Sequence, residues 1–312
     1  MPIENKSNTS KFAKFFQCIV LFTILAIFAL IALGGIVRVT ESGLGCPDWP
    51  LCHGSIIPPF EKPVLIEYSH RLLASVISIL VLTVFLMTWK FHRNDKWVFL
   101  PTVASVGILV SQIVLGGITV LMELPPLIVL AHLATAEALL ACMILIYLAL
   151  VLGSPIIRLK KNSLPLLPVI AVSTTFAVLV SGSYVTGTDA GSACGQSWPL
   201  CLGQIIPAEY PKAIINSLHR YIALIVTILV AITMIKMWKD QHHSPYTAFL
   251  IPTVVFLFVL QIFIGAAIWK LTTISIGLIK VLHLAMATAS WGTIFGLFIV
   301  TWFNKSTELT KE

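Results

Sequence analysis

Residues 15–37 read FFQCIVLFTILAIFALIALGGIV, without one charged side chain. That is longer than the roughly 20 apolar residues a helix needs to cross a hydrocarbon core about 30 Å thick. Seven further runs of the same character follow, over about 68–89, 97–122, 127–152, 165–187, 214–235, 246–269 and 276–303, each ended by Lys, Arg, Pro or a polar cluster. The apolar side chains run on without strand-length alternation, which excludes a membrane β-barrel and leaves helices that satisfy their own backbone groups. The first run is longer than the apolar core of a signal peptide and has no small-residue cleavage site before Arg38, so it is read as a helix. The fold class is therefore an all-α polytopic membrane protein with eight transmembrane helices.

Composition supports this reading: 58% of the residues are hydrophobic and 11% charged, against roughly 45–50% and about 25% in soluble domains. Disorder is excluded, and so is nucleic-acid binding, because the net charge of +7 is scattered through short polar stretches. The charge reports orientation instead. Thirteen of the 20 Lys and Arg fall in the N-terminal tail, the second, fourth and sixth loops and the C-terminal tail, including Lys90, Arg93, Arg158, Lys160 and Lys161. The opposite side has only Arg38, Lys62, Lys212 and Lys270. By the positive-inside rule both termini are cytoplasmic, and the loops about 38–66 and 188–213 lie outside the cytoplasm.

Each of those loops carries a close cysteine pair, Cys46 with Cys52 and Cys194 with Cys201. In an oxidising compartment the pairs are either structural disulfides or redox-active thiols, and sequence leaves both open. Zinc is disfavoured, since His53 is the only histidine near either pair. Cys18 and Cys142 fall within apolar runs and are expected to pack as small hydrophobes.

The chain also repeats itself. CPDWPLCHGSIIP at 46–58 returns as CGQSWPLCLGQIIP at 194–207, SHR at 69–71 as LHR at 218–220, QIVLGG at 112–117 as QIFIGA at 261–266, and AHLATA at 131–136 as LHLAMA at 282–287. The near-constant offset of 148–151 residues reads as a tandem duplication into halves 1–157 and 158–312. Each half is expected to be a four-helix bundle of the same topology, because four spans return the chain to its starting side. The repeat sets His70 and His219 near the start of the second helix of each half, and His132 and His283 near the start of the fourth. All four descend from the outer face to similar depth, so two imidazoles can meet within each half, the axial set of a low-spin b-type haem. Arg71, Arg220 and Lys280 stand close by in sequence, where they either anchor helix ends at the interface or meet haem propionates.

The halves are not equivalent. Glu67, one turn before His70, is matched by Asn216, and Glu137 is matched by Thr288. A carboxylate can accept a proton where an amide cannot, so the first half is the candidate for chemistry. An acid within a span is either a functional candidate or a hydrogen-bonded or protonated structural carboxyl, and Glu137 is retained with both readings open.

The segments GGIVRVTESGLGCPDWPLCHG at 34–54 and IEYSHR at 66–71, the second cysteine loop and the four spaced histidines resemble the haem A synthase family along essentially the whole chain. The resemblance implies an oxidoreductase that converts haem O to haem A for cytochrome c oxidase by oxidising a porphyrin methyl group to a formyl group. It further implies that His219 and His283 ligate a resident haem b and that His70 and His132 face the substrate haem O. Glu67 then matches the family's catalytic glutamate, and Cys46 and Cys52 its functional cysteine pair, while Glu137 has no counterpart to carry over. Haem O synthase and oxidase assembly factors are the protein contacts expected by resemblance, besides the lipid bilayer and an unnamed electron-transfer partner; a homo-oligomer stays open. The rival readings are a quinol-linked di-haem electron carrier, a membrane thiol–disulfide oxidoreductase and a haem carrier. The short N-terminal stretch has too few arginines for a mitochondrial presequence, which points to the cytoplasmic membrane of a bacterium.

Overall fold

The computed structural model describes residues 3–154, 166–241, 244–268 and 273–308. Arg158, Lys160, Lys161, His242, His243, Lys270 and Lys311, and the division at 157/158, lie outside the described residues. The described part is helical: α1 (Ile3–Val39), α2 (Lys62–Phe91), α3 (Lys96–Leu121), α4 (Pro126–Leu152), α5 (Leu166–Gly187), α6 (Pro211–Gln241), α7 (Pro245–Ala267) and α8 (Thr273–Glu308), with a short 3-10 turn at Ser42–Leu44. All eight contain stretches long and apolar enough to cross a membrane.

The helix starts follow from local chemistry. Proline, which has no N–H to lose in a first turn, stands in the first turns of α2, α4 and α7 and opens α6. The Asp95 side chain caps α3 by accepting from the Trp97 amide at 3.0 Å. Helices α1 and α2 begin well before the expected 15 and 68, because hydrophobicity measures the hydrocarbon crossing whereas the helix continues into the interface.

Helix α1 packs on α2 and α4, and α3 on α2 and α4; α5 packs on α6 and α8, and α7 on α6 and α8. These two sets of four meet through α1, α4, α5 and α8. Helix α8 serves both apolar cores: Ile299 and Phe303 join Phe16, Val20, Val81 and Met143, while Ile294 and Leu297 join Val226, Val230 and Val254. Cys18 departs from the expectation of core packing, since it is exposed on the outside of the bundle. In lipid an apolar side chain gains little by facing inward, so apolar character does not by itself mark a core position.

Candidate functional site

The two cysteine loops are built alike. Disulfides join Cys46 to Cys52 and Cys194 to Cys201, each with Cα atoms 4.7 Å apart, and the backbone of Cys52 pairs with Ser55 as that of Cys201 does with Gln204. The turn after Cys52 is tied down by Asp48, whose carboxylate accepts from the His53 and Gly54 amides at 2.6 and 2.7 Å. These bonds, that from Gly54 first, hold the Asp48 carboxyl below its usual range. His53, left without a role by the sequence, bonds Gly45 O through Nε2 at 2.9 Å. In the second loop Ser197 replaces Asp48, its hydroxyl accepting from the Leu202 amide at 2.8 Å.

Each loop is gripped by the arginine after the first histidine. Arg71 donates through Nη1 to Asp48 O and Leu51 O, both at 2.8 Å, through Nη2 to Cys46 O at 2.9 Å, and through Nε to Glu67 Oε1 at 3.0 Å. Arg220 donates through Nη1 to Ser197 O, Pro199 O and Leu200 O at 2.9–3.2 Å, and through Nε to Asn216 Oδ1 at 2.9 Å. Both guanidiniums are thus largely spent on loop carbonyls. Lys280 has no ion pair among the described residues; its Nζ reaches towards Gly191, 3.8 Å from where a Cβ there would stand.

The four histidines fall into two pairs, as the repeat requires. His70 on α2 is matched with His132 on α4, and His219 on α6 with His283 on α8. All four residues are partly accessible. The Nδ1 atoms of His70, His132 and His283 are shielded from solvent and without a hydrogen-bond partner. His219 Nδ1 bonds the Ser181 hydroxyl at 2.8 Å, and Gln261 Nε2 lies 3.4 Å from His283 Nε2. Gln112, at the matching place on α3, donates instead to His132 O at 2.8 Å and to the Thr135 hydroxyl.

Every one of these rings lies against a glycine on the preceding helix, a feature the sequence reading did not use. A Cβ would stand 3.3 Å from His70 Cε1 at Gly34, 3.5 Å from His132 at Gly116, 3.1 Å from His219 at Gly182 and 2.8 Å from His283 at Gly265. The glycines are visible in the GG, SGS, LGG and IGA segments, but their meaning depends on the ring packed above them. Gly117 carries the Trp49 indole in the same way, with Cδ2 3.1 Å from a built Cβ, which seats the first cysteine loop on α3 beside the His132 helix.

Paired, partly accessible imidazoles with uncommitted nitrogens and glycine-lined backs suit axial ligation of a flat macrocycle. Among the described residues no group of three or more His, Cys, Asp or Glu could hold a bare metal ion.

Glu67 is 5% exposed and lies one turn from His70, with Arg71 its described partner. Glu137 is fully buried where α4 meets α8; Oε1 accepts from the Thr288 hydroxyl at 2.5 Å, and Oε2 is shielded and unpartnered. The two positions that the repeat aligns, 137 and 288, thus touch one another between the two sets of helices.

The sequence profile of the COX15-CtaA cytochrome oxidase assembly proteins matches residues 17–64 and 59–295. Among curated proteins, the chain is 28% identical over 272 residues to a heme A synthase of Alkalihalophilus pseudofirmus, covering 85% of this chain and 91% of the relative. A heme A synthase of Lysinibacillus sphaericus is 32% identical over 246 residues, 73% of this chain and 78% of its own. One from Halalkalibacterium halodurans is 30% identical over 220 residues, 68% and 72% of the respective chains.

Proposed function

We propose a function that starts from membership: the chain belongs to the COX15-CtaA family of cytochrome oxidase assembly proteins. It is a haem A synthase, an oxidoreductase of a bacterial cytoplasmic membrane. It oxidises the porphyrin methyl group of haem O to the formyl group of haem A for cytochrome c oxidase. The observation that carries this reading is the doubled set of histidines, each packed on a glycine of the preceding helix, with a carboxylate beside one pair and an amide beside the other.

The first half, 1–157, would take the substrate haem O with His70 and His132, and the second, 158–312, would hold haem b through His219 and His283. Haem b, when bound, supplies one-electron transfer. The protein's own contribution is to place and shield the substrate and to move protons. Gly34 and Gly116 let the Cε1 edges of the His70 and His132 rings come close to their neighbouring helices. Trp49, seated on Gly117, helps cover the outer end of that half. Glu67 has one carboxylate oxygen on Arg71 and the other without a described bond, so Oε2 is the atom available to take or hold a proton beside the substrate. Arg71 and Arg220 hold the covering loops, and Lys280 is the cation left to meet a propionate in the second half. The cysteine loops face away from the cytoplasm, and both termini face it.

Variants of the two histidine pairs test the assignment. His283→Ala isolates without haem b. His132→Ala keeps haem b, shown by its optical spectrum, yet forms no haem A. Loss of the resident haem in His132→Ala with retention in His283→Ala reverses the two halves.

A further inference from the structure

Glu67 and Asn216 occupy equivalent positions, but they are held differently. The Asn216 amide donates to Ala190 O at 2.8 Å and Gly191 O at 3.2 Å while its oxygen accepts from Arg220. It is therefore fixed to the segment that follows α5, at Ala190 and Gly191, whatever Arg220 does. A carboxylate has no donor for such carbonyls, and the described hydrogen bond to Glu67 is the one from Arg71 Nε. The remaining bonds of Arg71 go to the backbone of the loop closed by Cys46 and Cys52: the carbonyls of Cys46, Asp48 and Leu51. One planar guanidinium therefore spans from the carboxylate to three points on the disulfide loop, a geometry its rigid fork suits and a lysine ammonium does not.

We propose that Arg71 is a positioning residue, through which the Cys46–Cys52 loop sets where the Glu67 carboxylate stands over the substrate. The inference rests on the haem A synthase reading, and it changes two roles within it. Arg71 serves the carboxylate rather than a propionate, and the disulfide serves catalysis by holding the loop whose carbonyls fix Arg71. Opening the loop frees the guanidinium, and with it the only described anchor of Glu67. The second half shows what the same clamp does without this duty: Arg220 grips its loop beside an amide that is anchored independently.

The test is a double-variant cycle on the purified full chain, with haem O supplied and haem A measured. R71Q lowers kcat about 100-fold, the loss expected when a reacting group is displaced by about 1 Å, with KM for haem O unchanged. R71K does not rescue it. The C46S/C52S variant shows the same split of kcat from KM. Combining either change with E67Q slows turnover no further than E67Q alone, because both act through one carboxylate. Losses that multiply in the E67Q background overturn the proposal, and so does an R71Q enzyme with wild-type kcat. If R71Q does not fold, R71K, which keeps the charge at the helix end, is read in its place against the same outcomes. A second readout needs no turnover: after limited reduction, Cys46 and Cys52 alkylate faster in R71Q than in wild type, and equal rates overturn the clamp. Wild-type protein that makes no haem A defeats the synthase reading, while the alkylation rates still judge the clamp.

Discussion

Replacing Gly265 by alanine puts a Cβ 2.8 Å from His283 Cε1, about 0.6 Å inside the 3.4 Å at which ordinary contact begins. The α7 backbone cannot yield that distance cheaply, so the imidazole must tilt or slide. Overpacking of this kind costs about 1–3 kcal/mol, which is about a 5- to 150-fold loss of haem affinity if the strain falls on the liganded ring. Gly182 grades the effect within the same half, while Gly34 and Gly116 lie behind the pair assigned to the substrate and serve as controls. At Gly182 the Cβ stands 3.1 Å from His219, at Gly34 3.3 Å from His70, and at Gly116 3.5 Å from His132, which is ordinary contact. Alanine in a helix interior otherwise favours folding by about 0.5–1 kcal/mol over glycine, so the fold and the site move in opposite directions. The assay is haem b binding to purified apoprotein by optical titration, with thermal melting followed in parallel. Gly265→Ala loses the most affinity, Gly182→Ala less, and Gly116→Ala keeps haem b and melts no lower than wild type. Equal affinity for wild type and Gly265→Ala, or as large a loss in Gly116→Ala, refutes the cradle.

Three shorter predictions follow from the cysteine loops and the seam between the two sets of helices. Cys194→Ser/Cys201→Ser removes the closure of a loop with sequence separation 7, worth about 2 kcal/mol by loop entropy, and is read as a lower thermal midpoint and faster proteolysis of 194–207. Arg38 on α1 donates to Thr186 O at 3.1 Å and Gly187 O at 3.4 Å, and meets the largely exposed Asp189 at 3.4 Å. Asp189→Asn therefore changes stability by less than about 1 kcal/mol, whereas Arg38→Ala, which strips the cap from the end of α5, lowers the melting midpoint more. Asp48 is held below its usual range by the Gly54 and His53 amides. Its contribution to loop order is present above the ordinary aspartate value of about 4 and is lost as pH falls through the lowered one. Proteolysis of 46–58 accordingly rises on strong acidification, and Asp48→Asn shows the same susceptibility at neutral pH.

The eight spans and the matched placement of the four histidines were legible from the sequence, for different physical reasons. Lipid demands about 20 continuous apolar residues, so each crossing announces itself. The histidines stood out because they recur at matched places in the repeat. Helix ends were less legible: α2 begins at Lys62 rather than 68 and α6 at Pro211 rather than 214, since polar residues in the interface are helical without being apolar. Contacts that depend on two distant segments were not legible at all. The grip of Arg71 on Cys46 O and Leu51 O joins positions 20 and 25 residues apart, and nothing in a basic residue at a helix end separates that role from interfacial anchoring. Two of the glycines behind the imidazoles, Gly116 and Gly265, stand in the repeat, but a small residue becomes informative only when its neighbour is known. Glu137 and Thr288 were noted as a mismatch between halves; that they hydrogen-bond to one another required the packing of α4 on α8.

The central claim is that this chain oxidises haem O and that Glu67 takes part. It is tested most directly by expressing the wild type and Glu67→Gln in membranes that make haem O but no haem A, then extracting the haems and separating them by chromatography with mass detection. The account predicts haem A from the wild type and haem O left unconverted with Glu67→Gln. A well-folded wild type that carries haem b and forms no haem A, although haem O is present, contradicts it and leaves the di-haem electron carrier as the better reading.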